Sequence, residues 1–418
     1  MGVKQGCLLS PLLFSLDIND LPDALPGGVN VAGVNIKVLL YADDLVLLAD
    51  LPEMLQSMID AFSTYCKTWS LTVNLLKSKI LVFRKGSRLS SNVNWSYDGE
   101  QIDIVNNYKY LGITMQYNLS FNMQLKEKLA ASKMAIASNW NSFVLNKRIS
   151  NDSKLKIFDA ASKSIMCYAA QVWGFKSYDD VEKLLRFFLK KMLKPPNTPN
   201  YMLNLEKGLH SMHVHTLRLH FSYIRKVLEL PENRLPRILA KEIIRQKCFW
   251  FEEWEEICNK NQVAVTDLPL KAMHKVIIES MIQNESTNLK ADARNGTFHD
   301  LYPLLDFNRP PPFRYKLSTN VTSLIIKARG GLLNINARSF KDNTDGRCTV
   351  CNQDATENTL HFIGVCPVYS YIRKIYFKKA VLNESELINI LSGENFIDLY
   401  NYLIEALKYR DMIINEFF

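Results

Sequence analysis

At 418 residues, with 47% apolar and 22% charged side chains, the chain is long enough for two or three domains with proper hydrophobic cores. Its composition is that of an ordinary globular protein and excludes fibrous and low-complexity classes. No apolar run is long enough to span a membrane, because Asp43 and Asp44 split the most apolar stretch, residues 38–49. A formal charge of +9 leans towards a polyanionic partner. With no apolar signal-peptide core near the start, an intracellular, reducing setting is expected, so the eight cysteines read as thiols or metal ligands and not as disulfides.

A loop bracketed by Gly2 and Gly6 comes first. The apolar stretch 8–16 then suits a buried helix opening near Ser10-Pro11, since Ser caps and Pro tolerates a first turn. Gly27-Gly28 marks a turn, after which residues 29–32 and 36–40 read as strands. Residues 45–48 are also β-competent, so positions 41–44 fall at a hairpin turn. Apolar residues then recur at 54, 55, 58, 59, 62, 65, 66 and 69, a helical period that predicts an amphipathic helix packed on the sheet. Residues 80–83 and 108–113 are short strand candidates, with a small hairpin expected between them at Asp98-Gly99.

Beyond about residue 120 the pattern turns helical. Residues 121–194 hold 14 Lys/Arg against 6 Asp/Glu, a net of +8 that nearly equals the excess of the whole chain. Trp140, Phe143, Tyr168, Trp173, Phe187 and Phe188 interleave with these lysines, and most are expected in the core. Pro195-Pro196 closes the block. His210, His213, His215 and His220 fit no familiar metal spacing and read as helix-surface histidines. Pro310-Pro311-Pro312 separates the helical middle from a C-terminal segment containing Cys348, Cys351, His361 and Cys366.

Two clusters carry chemistry. Asp43 and Asp44 are adjacent carboxylates at a tight turn; they repel, and a divalent cation is the usual remedy. Mg²⁺ takes one or two carboxylates plus substrate phosphates, and two such ions serve an in-line phosphoryl displacement. A solvated Asp-Asp turn is the plain alternative. In the second cluster a Cys-x-x-Cys pair can wrap one side of an ion while His361 and Cys366 close a tetrahedron, which suits a structural Zn²⁺ site with no vacancy. The alternative there is a set of unrelated buried thiols.

Tyr41-Ala42-Asp43-Asp44 between apolar strands resembles the catalytic hairpin of reverse transcriptases. Gly2-Val3-Lys4-Gln5-Gly6 with the helix after it, Asn74-Leu75-Leu76-Lys77-Ser78-Lys79, and Tyr108-Lys109-Tyr110-Leu111-Gly112-Ile113 resemble the flanking motifs in order. The Cys348–Cys366 cluster is similar to the C-terminal Cys-Cys-His-Cys module of LINE-type, non-LTR retrotransposon proteins, with Glu357 and Pro367 in the same order. The resemblance implies an α+β chain: a partial polymerase palm over 1–120, a helical thumb-like basic region over 121–200, a helical connector over 201–309 and the zinc module within 313–418.

It implies roles as well. Asp43 and Asp44 would hold Mg²⁺ or Mn²⁺, and Gln5, Gly6 and Tyr41 would lie against template and nucleotide. Either Lys77 or Lys79 would serve the leaving pyrophosphate, and Tyr110, Leu111 and Gly112 would form the primer grip. The partners implied are an RNA template, a DNA primer and a dNTP, with the protein in cytoplasm and nucleus. Family members take a further metal-binding Asp from a strand before the Gly-x-x-Gln-Gly loop, and Asp17 and Asp20 are no substitute. The chain alone is therefore expected to lack polymerase activity. The other reading is a non-catalytic RNA- or DNA-binding relic that keeps the thumb and the zinc module.

Overall fold

The computed structural model describes residues 8–86, 89, 93–146, 149–193, 198–208, 210–263, 269–296, 301–309, 311–312, 317–336, 346–393 and 395–417. Gln5, Gly6 and the loop around them lie outside these residues, as do Pro195, Pro196 and Pro310. The chain divides into two compact units. One comprises Met1–Gln124 with Lys226–Phe251, and the other comprises Leu125–Arg225 with Glu252–Phe418.

The first unit mixes short strands and helices. Helices α1 (Ser10–Asp17) and α2 (Leu21–Ala24) precede β1 (Val29–Val31), β2 (Val34–Ile36), β3 (Val38–Tyr41) and β4 (Asp44–Leu47). Helix α3 (Pro52–Thr68) is followed by β5 (Ile80–Leu81), β6 (Ser96–Tyr97), β7 (Glu100–Gln101), β8 (Ile104–Val105), β9 (Asn107–Tyr110) and β10 (Ile113–Gln116). β1–β2, β3–β4, β6–β7 and β9–β10 are antiparallel hairpins, whereas β5 pairs in parallel with β8.

α3 begins at Pro52, whose fixed φ suits a first helical turn. Its apolar stripe is the core of this unit. Met58 and Tyr65 pack with Leu21 and Leu25 beneath Val38, Leu45 and Leu47, while Ile59 joins Ile80, Trp95 and Ile102. Each fully buried side chain of this size contributes about 1.5–3 kcal/mol. Polar bonds set the helix's position: the Gln56 amide donates to Ser96 O at 2.8 Å and accepts from Ser96 N at 3.0 Å, and Trp95 Nε1 donates to Pro52 O at 2.9 Å.

The expected strand 36–40 is split at Lys37 between β2 and β3, and three further departures from sequence expectation arise here. The expected strand 29–32 ends one residue early, because Ala32 and Gly33 both take positive φ and turn β1 into β2. The strand candidate 108–113 is a hairpin, with Leu111 and Gly112 at φ +47° and +78° forming the turn between β9 and β10. Two left-handed residues in a two-residue loop match the right-handed strand twist, but Leu-Gly and Ala-Gly lack the Asn or Asp that announces such a turn in sequence. Asp98-Gly99 carries that signal and forms the expected hairpin between β6 and β7. The third departure is α1. It opens at Ser10 with Pro11 in its first turn, yet Leu8, Leu9, Leu12, Leu13 and Leu16 are each more than half exposed, so the expected burial is absent.

Helices dominate the rest of the chain. In order these are α4 (Asn122–Ser138), α5 (Asn151–Ile157), α6 (Ser164–Met166), α7 (Ala170–Trp173), α8 (Asp179–Leu193), α9 (Asn200–Lys207) and α10 (Met212–Glu229). After them come α11 (Leu235–Gln246), α12 (Trp250–Lys260), α13 (Leu270–Asn295), α14 (Thr319–Arg329), α15 (Ser370–Phe377), α16 (Glu384–Leu391) and α17 (Phe396–Phe417). No helix of the described residues is long and apolar enough to cross a membrane.

In the second unit α13 packs on α9, and α17 on α14 and α15, over a core that includes Tyr302, Ile325, Phe362, Tyr369, Leu399 and Tyr402. Two buried ion pairs stitch it: Arg329 to Glu206 at 2.9 Å and Arg410 to Glu357 at 2.7 Å. The histidine reading is corrected here. His210 is exposed, but His213 and His215 are half-buried and His220 is fully buried, its Nδ1 lying 2.8 Å from Gln171 O. Burial holds His215 and His220 down to about 4, so both rings stay neutral.

Candidate functional site

Tyr41 and Asp44 are the last pair of the β3–β4 ladder, so the turn consists of Ala42 and Asp43 alone. Ala42 sits at φ +51°, a left-handed conformation that costs a residue with a Cβ roughly 1–2 kcal/mol. The turn thrusts Asp43 out at the tip, with Asp44 one position along on the strand, and both carboxylates and the Tyr41 ring are exposed.

Tyr110 of hairpin β9–β10 lies within electrostatic reach of Asp44. Burial and then the Asp44 carboxylate hold the Tyr110 phenol above its usual range. Tyr108 Oη donates to the Lys77 carbonyl at 3.0 Å, tying the third motif to the fourth. The two candidate lysines differ in surroundings. Lys79 Nζ is engaged by Asp103 at 2.8 Å, whereas Lys77 is exposed and enters no ion pair among the described residues. No third carboxylate, His or Cys joins Asp43 and Asp44 among the described residues. Two carboxylates supply only part of the six-oxygen shell that Mg²⁺ requires, and the pair by itself does not fit a two-ion centre.

The C-terminal cluster is built differently. Cys348 N donates to Ala355 O at 2.8 Å and Glu357 N to Gly346 O at 2.8 Å, either side of a lone antiparallel bridge between Arg347 and Thr356. This tight loop carries Cys348 and Cys351. A π-helical turn over Leu360–Val365 carries the other two: its wider i→i+5 spacing lets Cys366 N donate to His361 O at 2.8 Å. The four ligand atoms all lie within 4.8 Å of one another, and Cys351 Sγ is 3.4 Å from His361 Nε2.

Cys348, His361 and Cys366 are buried and Cys351 partly so. A hydrogen bond from Cys366 pushes the Cys348 thiol down, while Cys366, the donor of that bond, is pushed up. Three sulfurs and one imidazole converging in this way fit a tetrahedral ion. The Tyr369 hydroxyl nearby is buried without a hydrogen-bond partner among the described residues.

Residues 1–115 match the reverse transcriptase (RNA-dependent DNA polymerase) family. Over 210 residues, 48% of this chain, it is 28% identical to the RNA-directed DNA polymerase from mobile element jockey of Drosophila funebris, and over 208 residues 27% identical to the jockey polymerase of Drosophila melanogaster. It is 32% identical over 123 residues, 27% of the chain, to the retrovirus-related Pol polyprotein from type-1 retrotransposable element R2 of Popillia japonica. This chain carries a reverse-transcriptase region of the non-LTR retrotransposon kind. It covers 22% of the length of each jockey polymerase and 20% of the R2 polyprotein.

Within residues 1–115 the Asp44 carboxylate acts electrostatically on Tyr110, while Gln5 and Gly6 fall outside the described residues. Leu111 and Gly112 are the turn of β9–β10. In the basic helical segment, Trp173 and Phe188 are core as expected, but Phe143 and Tyr168 are exposed. Lys128 lies over the Tyr168 ring at 4.4 Å, Lys133 over Phe187 at 5.2 Å and Lys191 over Trp140 at 6.0 Å. Sequence reasoning passed over Arg373 and Arg410 beside the cysteine cluster. The available signal was a single Arg inside each of two otherwise apolar helical faces.

Proposed function

We propose that this chain is part of an RNA-directed DNA polymerase of a LINE-type element. Asp43 and Asp44 supply two carboxylates of a two-ion nucleotidyl-transfer centre, and Tyr41, with Gln5 and Gly6, lies against nucleotide and template. The observation that carries this reading is the strained two-residue turn presenting Asp43 and Asp44 beside the Tyr110 hairpin. Tyr110, Leu111 and Gly112 are the primer grip. Lys77 is the better candidate than Lys79 for the leaving pyrophosphate, because Lys79 is already neutralised by Asp103.

Lys128, Lys133 and Lys191, set over aromatic rings, offer cations to a template–primer backbone, with affinity that falls as salt rises. Zn²⁺ at Cys348, Cys351, His361 and Cys366 locks the C-terminal module, whose role is to help hold template RNA. Mg²⁺ or Mn²⁺ completes the palm only with a further carboxylate. The expected result is that the purified 418-residue chain does not extend a DNA primer on an RNA template, and that a form with the family's upstream Asp-bearing strand fused in frame does. Extension by the chain alone, abolished by Asp43→Ala, would overturn the first half; a fusion indifferent to Asp43→Ala would overturn the second.

Lys128, Lys133 and Lys191, set over aromatic rings, are compatible with one other reading, a binding protein without catalysis. It requires salt-dependent RNA binding and no extension even by the fusion.

A further inference from the structure

Three arginines are buried among the described residues: Arg329, Arg373 and Arg410. Arg329 is met by Glu206, and Arg410 Nε and Nη2 reach the two oxygens of Glu357 at 2.7 Å each. Arg373 is the most enclosed, at 0% exposure, yet no carboxylate pairs with it among the described residues. Its Nε donates to Ala380 O at 2.7 Å and its Nη2 donates to the carbonyl of Cys366, while its Nη1 is buried with no hydrogen-bond partner among the described residues. An uncompensated buried guanidinium costs several kcal/mol, and carbonyl dipoles offset only part of that.

A negative charge can arise at the adjoining cysteine cluster. Three thiolates and a neutral imidazole around a divalent ion leave the loaded centre with one net negative charge. Arg373 is bonded to the backbone of one of its ligands, Cys366.

We propose that Arg373 is the counter-charge and positioning residue of this centre: it fixes Cys366 through its carbonyl and offsets the negative charge of the zinc–trithiolate group. The proposal rests on the zinc reading given above. It explains why a lone arginine is tolerated at this depth: the charge that balances it arrives with the metal. Removing the guanidinium should therefore hurt the loaded protein and spare or help the metal-free one, the opposite of what a purely structural arginine does.

The test uses the full chain. Zinc affinity is measured by competition with a chromophoric chelator, and denaturant midpoints are measured with zinc and with chelator, for the native chain, Arg373→Met and Arg373→Lys. Arg373→Met should weaken zinc binding by about 10- to 100-fold, the range for outer-shell partners, with an unchanged or higher midpoint in chelator. Arg373→Lys, which keeps the charge, should retain affinity within a few-fold. A Met variant that holds zinc as tightly as the native chain, or that loses equal stability with and without zinc, overturns the proposal. So does a Lys variant that weakens zinc binding by about 10-fold or more relative to the native chain, a criterion that stands even if the Met chain does not fold. A native chain that binds no zinc overturns the zinc reading itself, and that result appears before any variant is made.

Discussion

The two clusters that sequence singles out for metal chemistry differ in how much of a centre they build. Cys348, Cys351, His361 and Cys366 come from one stretch of chain, converge within 4.8 Å, and are backed by buried partners. Asp43 and Asp44 are adjacent in sequence too, but they stand on the exposed end of a two-stranded hairpin. A closed tetrahedral site can be completed by local turns that a short segment encodes. A polymerase-type site gathers carboxylates from separate strands plus phosphates from substrate, so no single hairpin completes it.

The largest expected effect strikes the first cluster. Chelating the metal, or Cys366→Ser, should cost several kcal/mol, bounded above by the roughly 10–16 kcal/mol apparent for zinc-finger peptides. Amide exchange should rise across the Leu360–Val365 turn and α15, with α3 unaffected. Unchanged protection there would reduce the four ligands to packed thiols and erase the contrast. Next comes the pair that anchors the cysteine loop. Glu357→Gln strands Arg410 in the core and should cost about 3–5 kcal/mol by denaturant titration. The double variant Glu357→Leu with Arg410→Met should cost less than the single change. A double variant that is no better would mean that Glu357 acts through Asn336, whose N donates to it at 2.7 Å, and not through charge.

Acid should also act on the second unit. Burial holds His274 down to about 3 and His220 to about 4, the former stacked on Phe221 at 3.8 Å and flanked by Arg225 and His220. Both folded values lie below the ordinary 6.5 of the unfolded chain, so the unfolded state takes up protons first as pH falls. Stability is therefore full above about pH 6.5 and is lost on going down towards pH 3–4, at about 2 kcal/mol per ring by pH 5. His274→Phe should flatten that slope; an unchanged slope would assign the acid sensitivity elsewhere.

Much of this was readable in the sequence because the signals are local. The period of α3, the Asp98-Gly99 turn and the Cys-x-x-Cys spacing each report on neighbours a few residues away. The failures share a cause: they depend on what packs against a segment. The run at 8–16 is as apolar as a core helix, and nothing in its composition reveals that α1 is uncovered. His220 sits in a stretch as polar as a surface helix, yet lies against Phe175 and Trp254. At the turns, Leu111-Gly112 and Ala32-Gly33 show that the hairpin ladder can force a left-handed residue that propensity disfavours.

The smallest effect is the most telling for the exposed cluster. Asp43→Asn removes one of two like charges at a solvated turn, where water screens the repulsion to about 1 kcal/mol or less. Asn also tolerates turn geometry as well as Asp does. Thermal stability should therefore shift by no more than about 0.5 kcal/mol, and in the favourable direction if at all. The same single-atom change at a completed two-ion centre would release a bound cation and be felt as lost stability in its presence. Melting the native and Asp43→Asn chains with and without millimolar Mg²⁺ separates the cases. Equal melting temperatures throughout fit a hairpin that offers two carboxylates and no cage. A Mg²⁺-dependent rise in the native chain that vanishes in Asp43→Asn would mean that the described residues already hold the ion, and that the two clusters are alike in completeness after all.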